Sequence, residues 1–516
     1  MQDDKSGYVL IVDFGSQYSQ LIARKLREIG HFSQLRNIED SIELIQKGPE
    51  QINAIVLSGG PQSVFLDSTD FNHLFKDDRI PILGICYGMQ IITHHFGGVV
   101  QRGTQGEYGK AKVLGKKFHF KELEVWMSHF DQVINPPRDY EVILESDNGI
   151  VAGIKHKSLP RLGLQFHPEV HHTIMGTEVL KYIFETEFHI SPNWGASELL
   201  EQSLEEVKKF KNQNILCAFS GGVDSLVAAT LIHREMKNWE NGELLCLFVN
   251  NGLLRLQDLN HIKLLQKEGH LPIEVLDVQE KFHQKLKGIT DPEQKRKIIG
   301  ATFIEVFEEA VKERSNKFKV LLQGTLYPDI IESLSPHKNG GKSSTIKSHH
   351  NVGGLPERMN MSVLEPLKML FKDEVRILGK TLGLPHAWCH RHPFPGPGLG
   401  IRIIGEVTKE RLERLQKADA ILLEELVRGN HLKDCWQSAV IYLPIKTVGV
   451  KGDERAYEDV LALRLVNSVD GMTATWWHAP YSFLEILSAR LTNEVPGVTR
   501  VVYDLTSKPP GTIEWE

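Results

Sequence analysis

Short aliphatic and β-branched runs alternate with helix-period stretches through the first 190 residues, and this alternation narrows the choice of folds more than any other feature. Tyr8–Val12, Ala54–Leu57 and Ile80–Ile85 read as buried strands, and Gln17–Glu28 reads as an amphipathic helix. Strands apolar on both faces, with helices between them, call for a mostly parallel sheet covered on both sides. The pattern returns at Ile215–Phe219, Leu244–Val249, Ile273–Val278 and Val320–Gln323. Between the two sets, Phe188–Ser197 is turn-rich and aperiodic, as a linker would be. After the Pro/Gly-dense segment Pro393–Gly400, helical patterns mix with strands such as Ala439–Leu443 and Val498–Tyr503, which suggests α+β. A chain of 516 residues is too long for one core. The expectation is two parallel-sheet α/β domains, at 1–192 and 193–395, followed by a smaller α+β domain at 396–516.

Composition excludes several functions. The formal charge of -6 gives no basic footprint for nucleic acid. No run of about 18 apolar residues is present to span a membrane. The polar stretch Met1–Gly7 leads directly into a strand, which reads as the absence of a signal peptide. Five cysteines, at 86, 217, 246, 389 and 435, are odd in number and never spaced as CxxC, so neither a disulfide framework nor a zinc site is indicated. A reducing cytoplasm fits such isolated thiols, and one of them is a candidate nucleophile.

That thiol is Cys86. In Pro81-Ile-Leu-Gly-Ile-Cys-Tyr-Gly-Met-Gln90 a strand meets a glycine-flanked turn and then a helix. Gly84 and Gly88 bracket Cys86 as in a nucleophile elbow, where a strained turn presents the reactive atom at a helix N-terminus. The helix dipole there favours thiolate. By itself the pattern fits a buried structural cysteine equally well. In Gly163-Leu-Gln-Phe-His-Pro-Glu169, period-2 geometry would put His167 and Glu169 on one side of a strand, a base and its orienting carboxylate. The turn Leu57-Ser-Gly-Gly-Pro61 offers a backbone N–H, at Gly60, to join that of Tyr87 in an oxyanion hole.

A second strand–turn–helix, Ile215-Leu-Cys-Ala-Phe-Ser-Gly-Gly-Val-Asp-Ser225, continues into a helix near Leu226. Backbone N–H groups at such a turn cradle anions, although a lone Gly-Gly also serves as a plain connection. The spacing is neither a Walker loop nor a dinucleotide fingerprint.

Four motifs carry a resemblance. Asp13-Phe-Gly-Ser-Gln-Tyr18, Ser58-Gly-Gly-Pro61, Gly84-Ile-Cys-Tyr-Gly-Met-Gln90 and Gln165-Phe-His-Pro-Glu-Val170 resemble class I glutamine amidotransferases. The resemblance implies Cys86 as nucleophile, His167 as base and Glu169 as its orienter. Ser220-Gly-Gly-Val-Asp-Ser225 resembles the loop of N-type ATP pyrophosphatases. That implies an ATP site at Ser220, Gly221, Gly222, Val223, Asp224, Ser225 and Leu226, with Asp224 helping to hold Mg²⁺. Asp291–Gly300, Gln323–Thr325, Tyr327–Ser333, Ile346–Pro356, Arg391–Gly398 and Thr506–Glu516 are similar to the GMP synthetase family over nearly the whole chain. The family arrangement is glutaminase, pyrophosphatase and dimerisation domain. It implies glutamine, ATP and xanthosine monophosphate (XMP) as substrates, a homodimer, a lid carrying Lys347, His349 and His350, and XMP contacts at Arg296, Asp453, Lys508 and Glu514. Read from residues alone, the three lid residues also suit a solvated loop, and Arg296 a solvated helix.

Some positions depart from the family pattern: Asn250 stands where Asp is customary, Leu226 replaces a hydroxyl residue, Phe130 replaces Gly, Gly106 replaces Arg, and Glu454 interrupts Gly-Asp-Gly-Arg. The alternatives are another amidating synthetase, such as a glutamine-dependent NAD synthetase, and a non-catalytic paralogue that keeps the fold.

Overall fold

The computed structural model describes residues 7–65, 69–268, 270–334, 361–390, 394–468 and 473–516. The chain parts into two compact units, Met1–Leu199 and Leu200–Glu516. The first boundary falls near the expected linker.

The first unit is built on β1 (Tyr8–Val12), β2 (Ser33–Arg36), β3 (Ile52–Leu57), β4 (Ile82–Ile85), β5 (Val99–Gly115), β6 (Glu122–Asn135), β7 (Tyr140–Ser146), β8 (Val151–His156) and β9 (Arg161–Leu164). Among the described residues they form one sheet in the order β2-β1-β3-β4-β9-β8-β7-β5-β6. β2, β1, β3, β4 and β9 run parallel, and β8, β7, β5 and β6 extend them antiparallel. The sheet is therefore mixed, where a mostly parallel one was expected. The reason lies in β6, whose buried and exposed positions alternate, as on a strand with one solvated face. The helix Ser19–Glu28 buries Ile22, Ala23 and Leu26 at helical spacing against β1 and β2. Asn37 caps the next helix, Ile38–Lys47, by accepting from Asp40 N at 2.8 Å.

Among the described residues the second unit holds two sheets. β10 (Ile215–Ala218), β11 (Leu244–Asn250), β12 (Ile273–Asp277), β13 (Val320–Leu322) and β14 (Ser362–Leu364) form a wholly parallel one, in the order β12-β11-β10-β13-β14. β15 (Gln437–Lys451) and β16 (Glu454–Asn467) make a long hairpin, joined at β16 by β17 (Thr475–Trp476) and by β18 (Val498–Tyr503), which runs parallel. One core runs across both parts: Val249, Leu253 and Ile299 cluster with Leu399, Leu415, Leu422, Leu463 and Leu487. Residues 396–516 thus pack in the same compact unit as 200–395, and the expected division at 395/396 is no break in packing. Lys347, His349 and His350 lie outside the described residues.

Candidate active sites

In the first unit β4 runs into the helix Tyr87–His95 through Cys86, whose φ of 54° is positive although it is not glycine. The flanking glycines are sterically required: a Cβ on Gly84 would lie 2.5 Å from Gly88 O. Cys86 N donates to Leu164 O at 2.7 Å, which ties the elbow to the end of β9. The chain then turns, so His167 and Glu169 stand in a turn past β9 and not on a strand as expected. Both are buried, with His167 Nδ1 2.7 Å from Glu169 Oε1. The turn is pinned by His167 N to Trp126 O at 3.1 Å and by Thr173 Oγ1 to His167 O at 2.6 Å. Burial alone would push the His167 pKa down. The negative charges of Glu169 and Cys86, and hydrogen bonds to both, outweigh it and hold the value well above the ordinary one.

The Ser58–Gly60 turn reaches the same place. Gly88 N donates to Ser58 O at 3.1 Å, and Phe14 N to Ser58 Oγ at 3.0 Å. A Cβ on Gly59 would stand 3.1 Å from His167 Cε1, a tight contact that brings the turn against the imidazole. Gly60 and Tyr87 both pack on Phe14: a Gly60 Cβ would lie 2.9 Å from Phe14 O, and the Phe14 and Tyr87 rings meet edge-on at 5.6 Å. Besides His167, the thiol has Gln165 Nε2 and Ser128 O as polar neighbours, each at 3.7 Å. Gly106 and Phe130 are neighbours, with the Tyr108 ring nearer still to where a Gly106 Cβ would stand. A Cβ on Gly106 would come within 3.0 Å of Phe130 Cδ2, and Arg102 lies over the Phe130 ring at 4.9 Å.

In the second unit β10 leads through Ser220–Gly222 into the helix Val223–Met236. Gly221 takes a φ of 75°. Ser220 Oγ accepts from Gly222 N at 3.3 Å and pairs with Ser225 Oγ at 3.1 Å. Asp224 Oδ2 accepts from Lys372 Nζ at 2.7 Å, while Oδ1 is buried with no partner among the described residues. Leu226 is buried, and its N–H is used by Gly222 O at 3.0 Å, so its side chain offers only packing. Asn250, at the end of β11, accepts from Gly252 N at 3.2 Å and needs no charge to do so.

The C-terminal segment is ordered by side chains from elsewhere in its unit. Lys508 pairs through its main chain with Ala474, at 2.7 and 3.0 Å. Arg464 donates to Thr506 O at 2.5 Å and to Thr512 O at 2.8 Å. Glu514 accepts from Arg402 at 2.8 and 3.1 Å and from Gln437 at 2.7 Å, so its carboxylate is turned inward. Lys295 and Arg296 bind Glu516, through its carboxylate and its main-chain oxygen respectively. Asp453 does not join this group. It occupies the β15–β16 turn with a φ of 65°, and Glu454 follows it opposite Lys451. Lys508 sits beside Ala474, just before β17, which pairs at the Asn467 end of β16. The 14 residues of β16 separate the two, roughly 45 Å at strand rise.

The glutamine amidotransferase class-I family profile matches residues 10–186, and that of the GMP synthase C-terminal domain matches 424–515. A protein named GMP synthase [glutamine-hydrolyzing] from Aquifex aeolicus is 48% identical over 98% of this chain and 99% of its own. Proteins of the same name from Helicobacter pylori and Nitratiruptor are each 47% identical, over 98% of this chain and 100% and 99% of their own. The chain belongs to the glutamine-hydrolysing GMP synthase family. The two matched segments contain Cys86, His167 and Glu169 on one side, and Lys508 and Glu514 on the other.

For a chain of this family the sequence reading overlooked Lys372, Arg402, Gln437 and Lys295. Lys372 opens the helix Lys372–Thr381 and reads as an ordinary solvated cation until the fold brings it to Asp224. Arg402 and Lys295 are fully buried, which is rare for cations and leaves no mark in a sequence.

Proposed function

We propose that this chain makes GMP from XMP, with glutamine as the nitrogen donor and ATP as the activating reagent. The observation that carries it is one chain holding both the Cys86–His167–Glu169 constellation and the Ser220–Ser225 loop, with Cys86 and the loop each at the start of a helix. In the first unit, Cys86 Sγ attacks the side-chain carbonyl carbon of glutamine. Backbone N–H groups at Gly60 and Tyr87 receive the oxyanion. His167, held by Glu169, gives its proton to the leaving nitrogen, so ammonia departs and a thioester remains. Water, deprotonated by His167, then releases glutamate.

In the second unit, the C2 oxygen of XMP attacks the α-phosphorus of ATP and pyrophosphate leaves. Ammonia adds at C2, and the C–O bond breaks to release AMP and GMP. The Ser220–Gly222 loop and the first turn of its helix cradle phosphate, and Lys372 adds positive charge beside it. Magnesium fits here, because one open carboxylate oxygen on Asp224 suits an ion that takes most of its ligands from phosphate and water. When bound it neutralises phosphate charge. No group of three or more metal-ligating side chains occurs among the described residues, consistent with an ion carried in by nucleotide.

Lys508 is the proposed phosphate contact for XMP, Arg296 a further proposed XMP contact in the same unit, and residues 335–356, including Lys347, His349 and His350, the proposed lid. Glu514 contributes by holding the tail. A homodimer is supported by Ile445, Val448, Val450 and Tyr457, 58 to 72% exposed on the outer half of the β15–β16 hairpin. No helix among the described residues is long and apolar enough to cross a membrane. The test is GMP formation from XMP and ATP, with glutamine and separately with ammonium. Failure with both nitrogen sources in a folded sample refutes the reading.

A further inference from the structure

Chain ends fray unless something holds them, and here three buried cations converge on residues 506–516. Lys295 comes from the helix Pro292–Arg314, Arg464 from β16, and Arg402 from the turn Gly398–Arg402. A buried guanidinium is costly unless both its charge and its N–H groups are matched. Arg402 meets that condition only with the tail in place. Its Nε and Nη2 fork onto Glu514 at 3.1 and 2.8 Å, Nη1 lies 3.4 Å from Asp419, and its plane stands over Phe394 at 5.4 Å. Asp419 reaches only Nη1, so among the described residues Nε and Nη2 have their acceptors on Glu514 alone. Gln437 closes the clamp from the other side of Glu514. Side chains of its own unit thus hold the tail in place, and Lys508 belongs to it.

We propose that Arg402 is a positioning residue for the nucleotide monophosphate: its fork on Glu514 fixes the segment that carries Lys508, so XMP binding depends on it and ATP binding does not. The proposal rests on the proposed function. Five proteins test it under ammonium-driven turnover: wild type, Arg402→Met, Arg402→Lys, Glu514→Gln and the double variant Arg402→Met with Glu514→Gln. Arg402→Met should raise KM for XMP about tenfold or more while KM for ATP moves less than about twofold. Arg402→Lys should recover part of the loss, because it restores the charge without the fork. Glu514→Gln should move KM for XMP in the same direction and speed amide exchange across 505–516. The double variant should be no worse than the worse single one, since both break one clamp.

An unchanged KM for XMP in folded Arg402→Met, or equal rises for XMP and ATP, overturns the proposal. Should Arg402→Met not fold, Glu514→Gln decides: a raised KM without faster tail exchange overturns it, and the two together support it. If wild type itself makes no GMP, the functional reading fails first, and tail exchange in Glu514→Gln still reports whether the clamp exists.

Discussion

Two strand–turn–helix segments, one in each unit, present an N-terminal helix turn to their chemistry, and they treat positive φ in opposite ways. At Cys86 a residue with a side chain takes a φ of 54°. At the phosphate loop Gly221 takes 75°. Holding a non-glycine residue there costs about 1–3 kcal/mol, which glycine avoids. The difference follows from which atoms act. At the elbow the reagent is a side chain, so the strained position must carry one, and the hydrogen bond from Cys86 N–H to Leu164 O holds it there. At the loop the proposed reagents are main-chain N–H groups, so a side chain would only obstruct. Strain sits where the chemistry needs an atom beyond the backbone.

The largest expected effect breaks the two sites apart. Cys86→Ala should abolish glutamine-driven GMP synthesis and leave ammonium-driven synthesis near wild type, because one site makes ammonia and the other consumes it. Rates measured with the two nitrogen sources decide this, and loss of both in a folded variant shows that the sites are not separable. Next comes Asp224→Ala, which should cut synthesis from either nitrogen source by roughly a thousandfold, several kcal/mol of lost charge stabilisation. Pyrophosphate release from XMP and ATP reads it, and a near-normal rate removes Asp224 from the site.

Gly221→Ala probes the comparison itself. It should destabilise the second unit by about 1–2 kcal/mol, since a Cβ there is left-handed in φ and only 3.1 Å from Ile262 Cδ1. A denaturant midpoint equal to wild type would show that the loop tolerates what the elbow tolerates. The smallest effect concerns acid. His31 is buried beside Phe184, and burial, only partly countered by Glu185, lowers its pKa. The folded state holds it neutral, so its contribution is fully present above the unfolded value of about 6.5 and is lost as pH falls below it. His31→Leu should flatten the acid slope of first-unit stability by at most about 1.4 kcal/mol per pH unit. Parallel slopes for both proteins would assign the acid sensitivity elsewhere.

Much of the fold was legible in the residues. Tyr8–Val12 and β10, β11 and β13 are legible to within a residue at their ends because buried parallel strands are continuous apolar runs, whereas β12 and Val498–Tyr503, legible as closely, are largely half-buried or exposed. β5 and β6 were not read. β5 is polar and glycine-containing, and its pairing with β6 and β7 makes it a strand, while β6 alternates buried and exposed positions as a strand with one solvated face does. His167 and Glu169 were read as partners for the wrong local reason: a turn past β9 joins them, not strand alternation.

By itself, the sequence determined what depends on near neighbours: the strand–glycine–helix turns that set Cys86 and Ser220–Ser225, the apolar periods, and the residue types needed at each site. Tertiary structure alone decided which distant charges meet. Lys372 reaches Asp224 across 148 residues of chain, and Arg402 reaches Glu514 across 112. A cation's fate, solvated or buried against a carboxylate, turns on the desolvation that only a closed core imposes, and no local pattern records it.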